Sequence, residues 1–169
     1  MMIRPATQAD LPAVAALYEA IFDREDQGPV YTNWQRGTYP TIDTARAALE
    51  AGSLHVGEEN GVLWGVVTLN GEQLPEYDAI PWTIPADREQ VGVIHTLCIH
   101  PNAAGQGRGR QMVDYCAATA RSQGKTVLRL DTWEGNLPAN GLYTALGFHR
   151  AGATEFFFQG FIHEVLNCY

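Results

Sequence analysis

Three alternate glycines, Gly105, Gly107 and Gly109, stand in the stretch Cys98–Gln111, with Arg108 and Arg110 among them. Glycine lets successive backbone N–H groups turn toward one point and lets a ligand approach the main chain, so this spacing suits a bound anion. Two familiar phosphate patterns are absent. A P-loop needs Gly, four residues, then Gly-Lys-Ser/Thr, and no such run occurs. The dinucleotide spacing G-x-G-x-x-G puts Arg110 where its third glycine would stand. The competing interpretation is a turn that needs glycine only for its angles. Cys98 opens the stretch, but no His or Asp is placed in sequence to activate it. The cysteines Cys98, Cys116 and Cys168 and the histidines His55, His95, His100, His149 and His163 have no metal-ligand spacing, so no metal is expected.

The surrounding elements give the glycines a setting. Glu89 to Ile99 is rich in β-branched and apolar residues and reads as a strand. Met112, Val113, Cys116, Ala117 and Ala120 then recur at helical spacing, and Gly124 is a C-cap, which predicts a helix over 110–123. The glycines therefore sit between a strand end and a helix N-terminus, where free N–H groups and the helix dipole favour an anion. Upstream, Ile3-Arg4-Pro5 is a short strand, and Thr7 with Asp10 makes a capping box for a helix over Gln8–Asp23. Gln27–Pro40 is aperiodic, and Thr41–Ala51 is a second helix. Leu54–Glu58 and Val62–Leu69 form a hairpin across Asn60-Gly61. Glu72–Arg88 has no period. Thr126–Thr132 is a strand and Asn136–Leu146 a short helix. Strand-like segments run from Phe148 to a break at Gln159-Gly160 and from Phe161 to Tyr169. This order is that of a mixed α/β or α+β layer protein.

At 169 residues, with 46% hydrophobic residues, the chain is read as one domain, 1–169, with a sizeable core. Its 19 acidic against 11 basic residues give a net charge of -8. That argues against a nucleic-acid backbone as partner, since such binding rests on Lys and Arg. It leaves room for a small anionic cofactor at a local site. No apolar run suits a signal peptide or a membrane span, so a cytoplasmic protein without membrane partners is expected.

Leu97-Cys98-Ile99-His100-Pro101 followed by Ala104-Gly105-Gln106-Gly107-Arg108-Gly109 resembles the coenzyme-binding motif of the GNAT superfamily of N-acetyltransferases. One position departs: Ala104 stands where Arg or Gln is usual. Leu130-Asp131-Thr132-Trp133-Glu134-Gly135-Asn136, then Asn140, Leu142-Tyr143 and Leu146-Gly147-Phe148, resembles the family's C-terminal half-site. The opening Ile3-Arg4-Pro5-Ala6-Thr7 with Asp10 fits as well, so the resemblance covers nearly the whole chain. It implies a central mixed, largely antiparallel twisted sheet flanked by helices. It also implies transfer of an acetyl group from acetyl-coenzyme A to a primary amine of a small molecule or peptide.

The resemblance assigns expected roles. The backbone of Leu97, Cys98 and Ile99 runs beside the pantetheine arm, in a V where that strand splays from Thr126–Thr132. Gly105, Gln106, Gly107, Arg108, Gly109 and Arg110 hold the pyrophosphate, with Gln106 or Arg110 standing in for the residue missing at 104. Asn136 bonds the arm or orients the next helix. Tyr143 is the general acid toward the leaving thiolate, or else a core aromatic. His95 is the first choice for general base, with Glu72, Glu76, Glu89 or a water relay as alternatives, or else it is a structural residue; strand alternation puts it on one face with Val91, Val93 and Leu97. Trp34, Glu72, Tyr77, Trp82 and Asp131 are expected around the acceptor, in an acidic, aromatic mouth suited to a cationic amine, or else in a solvated loop over a hydrophobic patch with Asp131 capping its turn. Acetylation of an amino acid or of an amino-phosphonate such as phosphinothricin is the alternative, for which Arg36 and Arg88 are the nearby cations. A non-catalytic acyl-coenzyme A sensor is another. The apolar C-terminal segment either pairs across a homodimer or closes the sheet.

Overall fold

The computed structural model describes residues 2–158 and 162–169. The expected break at Gln159-Gly160 and the expected strand start at Phe161 lie outside the described residues. In chain order the elements are β1 (Met2–Pro5), α1 (Leu11–Asp26), α2 (Ile42–Glu50), β2 (Leu54–Glu59), β3 (Val62–Asn70), β4 (Val91–Ile99), α3 (Arg108–Ser122), β5 (Val127–Trp133), α4 (Leu137–Ala145), β6 (Gly152–Phe158) and β7 (Ile162–Cys168). This is the order read from the sequence. The strands form one sheet, β1-β2-β3-β4-β5-β7-β6, antiparallel at every pairing except β4 with β5.

Local chemistry explains the entry to the fold. The Asp10 carboxylate accepts from the Thr7 N–H at 2.7 Å and receives the Arg4 guanidinium through two bonds of 2.8 and 2.9 Å. Arg4 also reaches Glu58 at 2.8 Å, so its guanidinium ties β1, the start of α1 and β2 together. Residues Gln8–Asp10 form a 3₁₀ turn, and the α-helix begins only at Leu11. At the β2–β3 turn Asn60 and Gly61 both have positive φ, 52° and 78°, as an Asn-Gly hairpin turn requires.

Helices cover both faces of the sheet. Leu11, Val14, Leu17 and Tyr18 of α1 pack on Leu54, Val56, Val66 and Cys98. Met112, Val113 and Cys116 of α3 pack on Val67, Ile94 and Leu130 from the other side. The aperiodic stretch 72–88 is no open loop. It contains a 3₁₀ turn at Pro75–Ala79 and buries Tyr77 and Ile80 against Val91, Val93 and Cys168.

Two irregularities of β4 open the sheet at its centre. First, β4 pairs with β5 only from Val91 to Ile94; beyond that, Asp131–Trp133 of β5 pair with β7 while β4 stays with β3. The strands part and leave an opening, as expected. Second, Cys98 lies opposite Val66 and His95 opposite Thr68, so Thr96 and Leu97 together face Val67. This is a bulge, with Thr96 at φ 48°. The expected alternation therefore fails at this point: Val91 and Val93 face the Tyr77 cluster, while Leu97 packs on the α3 side. The His100 N–H donates to the Trp64 carbonyl of β3 at 2.9 Å. Backbone direction alternates along a strand, so the main-chain groups of Leu97 and Ile99 turn into the opening.

Candidate active site

Beside the β4–β5 opening lies a cleft of about 610 Å3, walled by Leu97 and Ile99, the 104–110 turn, and Asn136 with Tyr143 from the α4 side. Gly105 and Gly107 have φ of 74° and 76°, a backbone conformation that L side chains rarely adopt. A Cβ on either would meet nothing within 4 Å, so these positions are open toward a ligand. The first bond into α3 runs from the Gln111 N–H to the Gly107 carbonyl at 3.1 Å. The N–H groups of Gly109 and Arg110 thus lack acceptors within the helix and sit at its positive end. Gly109 has a second reason to be glycine: a Cβ there would lie 2.9 Å from Leu142 Cδ2. Its absence lets α4 close on α3.

The side chains of the cradle divide. Arg110 lines the cleft. Arg108 lines it as well, while its Nη2 bonds Glu59 Oε2 at 2.6 Å and its guanidinium stacks over Trp64 at 5.1 Å, so it also anchors α3 to the β2–β3 hairpin. Gln106, expected in the cradle, does not line this cleft; its Nε2 donates to the Asn102 carbonyl at 2.9 Å within the preceding turn. Ala104 does line it but offers no polar group. Of the two stand-ins expected for the residue missing at 104, Arg110 alone is positioned to act.

A smaller cavity of about 150 Å3 adjoins the cleft. Thr32, Trp34, Leu97, Asn136, Ala139 and Tyr143 line both spaces. Tyr143 thus stands where the two meet. Its ring is 5% exposed and packs edgewise on Phe148, and its hydroxyl has no hydrogen-bond partner among the described residues. Burial holds its pKa above the ordinary phenol value, with Asp131 acting in the same direction.

His95, Asp131 and Glu164 bring titratable groups into the smaller cavity. The Glu72 N–H donates to Asn70 Oδ1 at 2.9 Å, which fixes that atom as oxygen. His95 Nε2, 3.0 Å from the same oxygen, must then carry the imidazole proton, leaving Nδ1 as the basic nitrogen. Burial lowers the His95 pKa; Asp131 opposes that. Asp131 accepts from the Tyr77 hydroxyl at 2.6 Å, a length typical of charge-assisted O–H···O⁻ bonds. Burial raises its pKa, against the Tyr77 bond. Glu164, on β7, accepts from Asn33 Nδ2 at 3.3 Å, and burial pushes it up to about 7.

Three expected acceptor residues take other places. Glu72 is exposed and lines neither space; what it contributes is its backbone N–H to Asn70. Tyr77 is buried beneath Asp131 and holds it from below. Trp82 lies away from the cavity, its Nε1 donating to the Tyr77 carbonyl at 3.0 Å and its ring carrying the Arg129 guanidinium at 4.1 Å. Trp34 lines both spaces as expected, set edge-on to Tyr39. Asn136 caps α4, accepting from the Ala139 N–H at 3.1 Å. The Cys98 thiol packs in the α1 cluster, and burial raises its pKa well above the ordinary thiol value, which disqualifies it as a nucleophile.

Two residues of the site escaped the sequence reading. Glu164 had a signal: Ile162, Glu164 and Leu166 alternate along β7, so a carboxylate shares the inward face with two apolar residues. Asn140 had only its place in the half-site motif. Its Nδ2 donates to the Trp133 and Asn136 carbonyls at 3.0 and 2.8 Å, and its Oδ1 accepts from Asn167 and Tyr169, both at 2.8 Å. It thereby fastens the β5–α4 turn to the C-terminal strand.

Comparison with known proteins places these features in a family. The model of the Acetyltransferase (GNAT) family matches residues 13–148. An L-amino acid N-acyltransferase of Escherichia coli is 28% identical over 155 residues, covering 88% of this chain and 79% of the relative. A GNAT-family acetyltransferase structure from Streptococcus agalactiae superposes with a TM-score of 0.74 at 19% identity, covering 99% of this chain and 93% of the other. A Salmonella typhimurium structure solved with acetyl-CoA as its cofactor gives 0.68 at 23% identity, covering 100% and 92%.

Proposed function

From the premise that the chain belongs to the GNAT acetyltransferase family, and so is an N-acetyltransferase using acetyl-coenzyme A, we propose where each part of the reaction takes place. The β4–β5 cleft holds the cofactor, and the adjoining cavity holds the acceptor amine. One observation carries this: the two spaces meet at Tyr143, with the N-terminus of α3 at the far end of the larger one. The cleft fits the group, because the left-handed glycines at 105 and 107 leave the main chain bare where a pyrophosphate would sit.

Acetyl-coenzyme A supplies the acetyl group as a thioester. The Gly109 and Arg110 N–H groups and the Arg110 side chain bind its pyrophosphate. Leu97 and Ile99 bond the arm with their outward main-chain groups. Glu164 accepts the proton from the acceptor ammonium, since an amine needs a free lone pair and a carboxylate near 7 is half ionised at neutral pH. His95 and Asp131 orient and charge the same cavity. The Tyr143 hydroxyl would stand as proton donor beside the thioester sulfur of a bound cofactor, and burial, which raises its pKa, keeps it protonated for that role.

The test is a panel of amines incubated with acetyl-coenzyme A, with thiol release and acetylated product measured together. Product with at least one amine is expected. Tight cofactor binding without turnover across the panel would assign a sensor instead.

A further inference from the structure

The residues around the acceptor cavity narrow the class of amine. Two carboxylates, Asp131 and Glu164, face it, together with His95 and the aromatic rings of Trp34, Tyr39 and Trp133. All eleven Lys and Arg residues lie among the described residues, and none of them lines this cavity. The cations that could have reached it are held elsewhere. Arg36 is bound by Glu19, Asp23 and Asp26 on the surface. Arg88 pairs with Asp78 at 3.1 Å, and Arg129 is fixed by Gln73 Oε1 at 2.6 Å and by the Trp82 ring. Arg24 lines the larger cleft, stacked on Tyr31 at 5.5 Å.

Resting on the acetyl-transfer assignment, we infer that the acceptor is a small cationic amine bearing no carboxylate or phosphonate beside the reacting nitrogen. An ammonium entering the cavity finds two carboxylates and aromatic faces, and it stabilises their ionised forms. An α-carboxylate entering with it would meet like charges with no cation to offset them. Size points the same way. A cavity on the order of 150 Å3 holds a ligand of about six non-hydrogen atoms, benzene in the reference case. The space found here is about 150 Å3, which suits a short alkyl amine or diamine.

Matched pairs that differ by one carboxylate test this: putrescine against ornithine, and isoamylamine against leucine. The expected kcat/KM ratio favours the decarboxylated partner by about 100-fold or more. Asp131→Asn should shrink that ratio at least about fivefold whatever it does to the absolute rate. If that variant does not fold, Glu164→Gln reads the same ratio. Amino acids acetylated as well as their amines would overturn the inference and leave acetyl transfer standing. No turnover with any member of either pair, under conditions where acetyl-coenzyme A binds, would overturn both.

Discussion

Replacing Glu164 with Gln should destroy activity while stabilising the fold. In the protein burial holds this carboxyl at about 7, against an ordinary value of 4.5, so folded chains keep its proton where unfolded chains lose it. The raised value means that the stability this group contributes is fully present below about 4.5 and is lost as pH rises through about 7. Gln is isosteric and neutral, keeps the Asn33 contact through its own oxygen, and never pays this cost. Its advantage over the natural residue should therefore be near zero at pH 4, grow between about 4.5 and about 7, and be full above that. Activity moves the other way. A base near 7 is about one-tenth ionised at pH 6 and about nine-tenths at pH 8, so wild-type kcat/KM should rise roughly tenfold between them. The variant should lose about 10²-fold or more at pH 8, together with that limb of the profile. Thermal melts at pH 4 and pH 8, with rate profiles on a reactive amine, read both effects. An unchanged limb near 7 in Glu164→Gln would refute the assignment and return the base to His95 Nδ1.

Tyr143→Phe should cut kcat about 10²-fold while changing acetyl-coenzyme A affinity by less than threefold, read by calorimetry beside steady-state rates; equal losses in both would remove the acid role. Gly107→Glu should abolish cofactor binding, and Gly107→Ala, which adds only the left-handed strain of about 1–2 kcal/mol, separates charge from backbone conformation. Asn140→Ala should lower unfolding free energy by about 2 kcal/mol or more in denaturant titration, because it removes two side-chain bonds to the β5–α4 turn and strands the Asn167 amide and Tyr169 hydroxyl donors of the C-terminal segment. Cys98→Ala should keep turnover within about threefold of wild type; loss of all activity in a folded variant would reopen a thiol mechanism.

Much of this was legible in the residue order. Periodicity alone gave the succession of strands and helices, and the Asn60-Gly61 and Thr7–Asp10 signals landed on the turn and the cap they imply. The setting of the glycine run between a strand end and a helix start was legible because all three parts are local. What failed was non-local. The Thr96 bulge depends on β3 opposing β4 one residue out of step, so a strict alternation put Leu97 on the wrong face. Trp82 and Tyr77 read as walls of the acceptor mouth, yet 72–88 folds back and buries Tyr77 beneath Asp131. Gln106 looked like a cradle side chain because proximity in sequence says nothing of which way a side chain leaves the turn; it bonds the Asn102 carbonyl instead. Glu164 lay more than sixty residues beyond His95 in the chain, and only the β5–β7 pairing brings them to one cavity.

A crystal structure with acetyl-coenzyme A bound measures directly where the cofactor lies. The pyrophosphate should rest on the N–H groups that open α3, the arm should run beside Leu97 and Ile99 in the β4–β5 opening, and the thioester sulfur should come within hydrogen-bond reach of the Tyr143 hydroxyl. A cofactor bound outside that opening, or one whose sulfur lies away from Tyr143, would contradict the account.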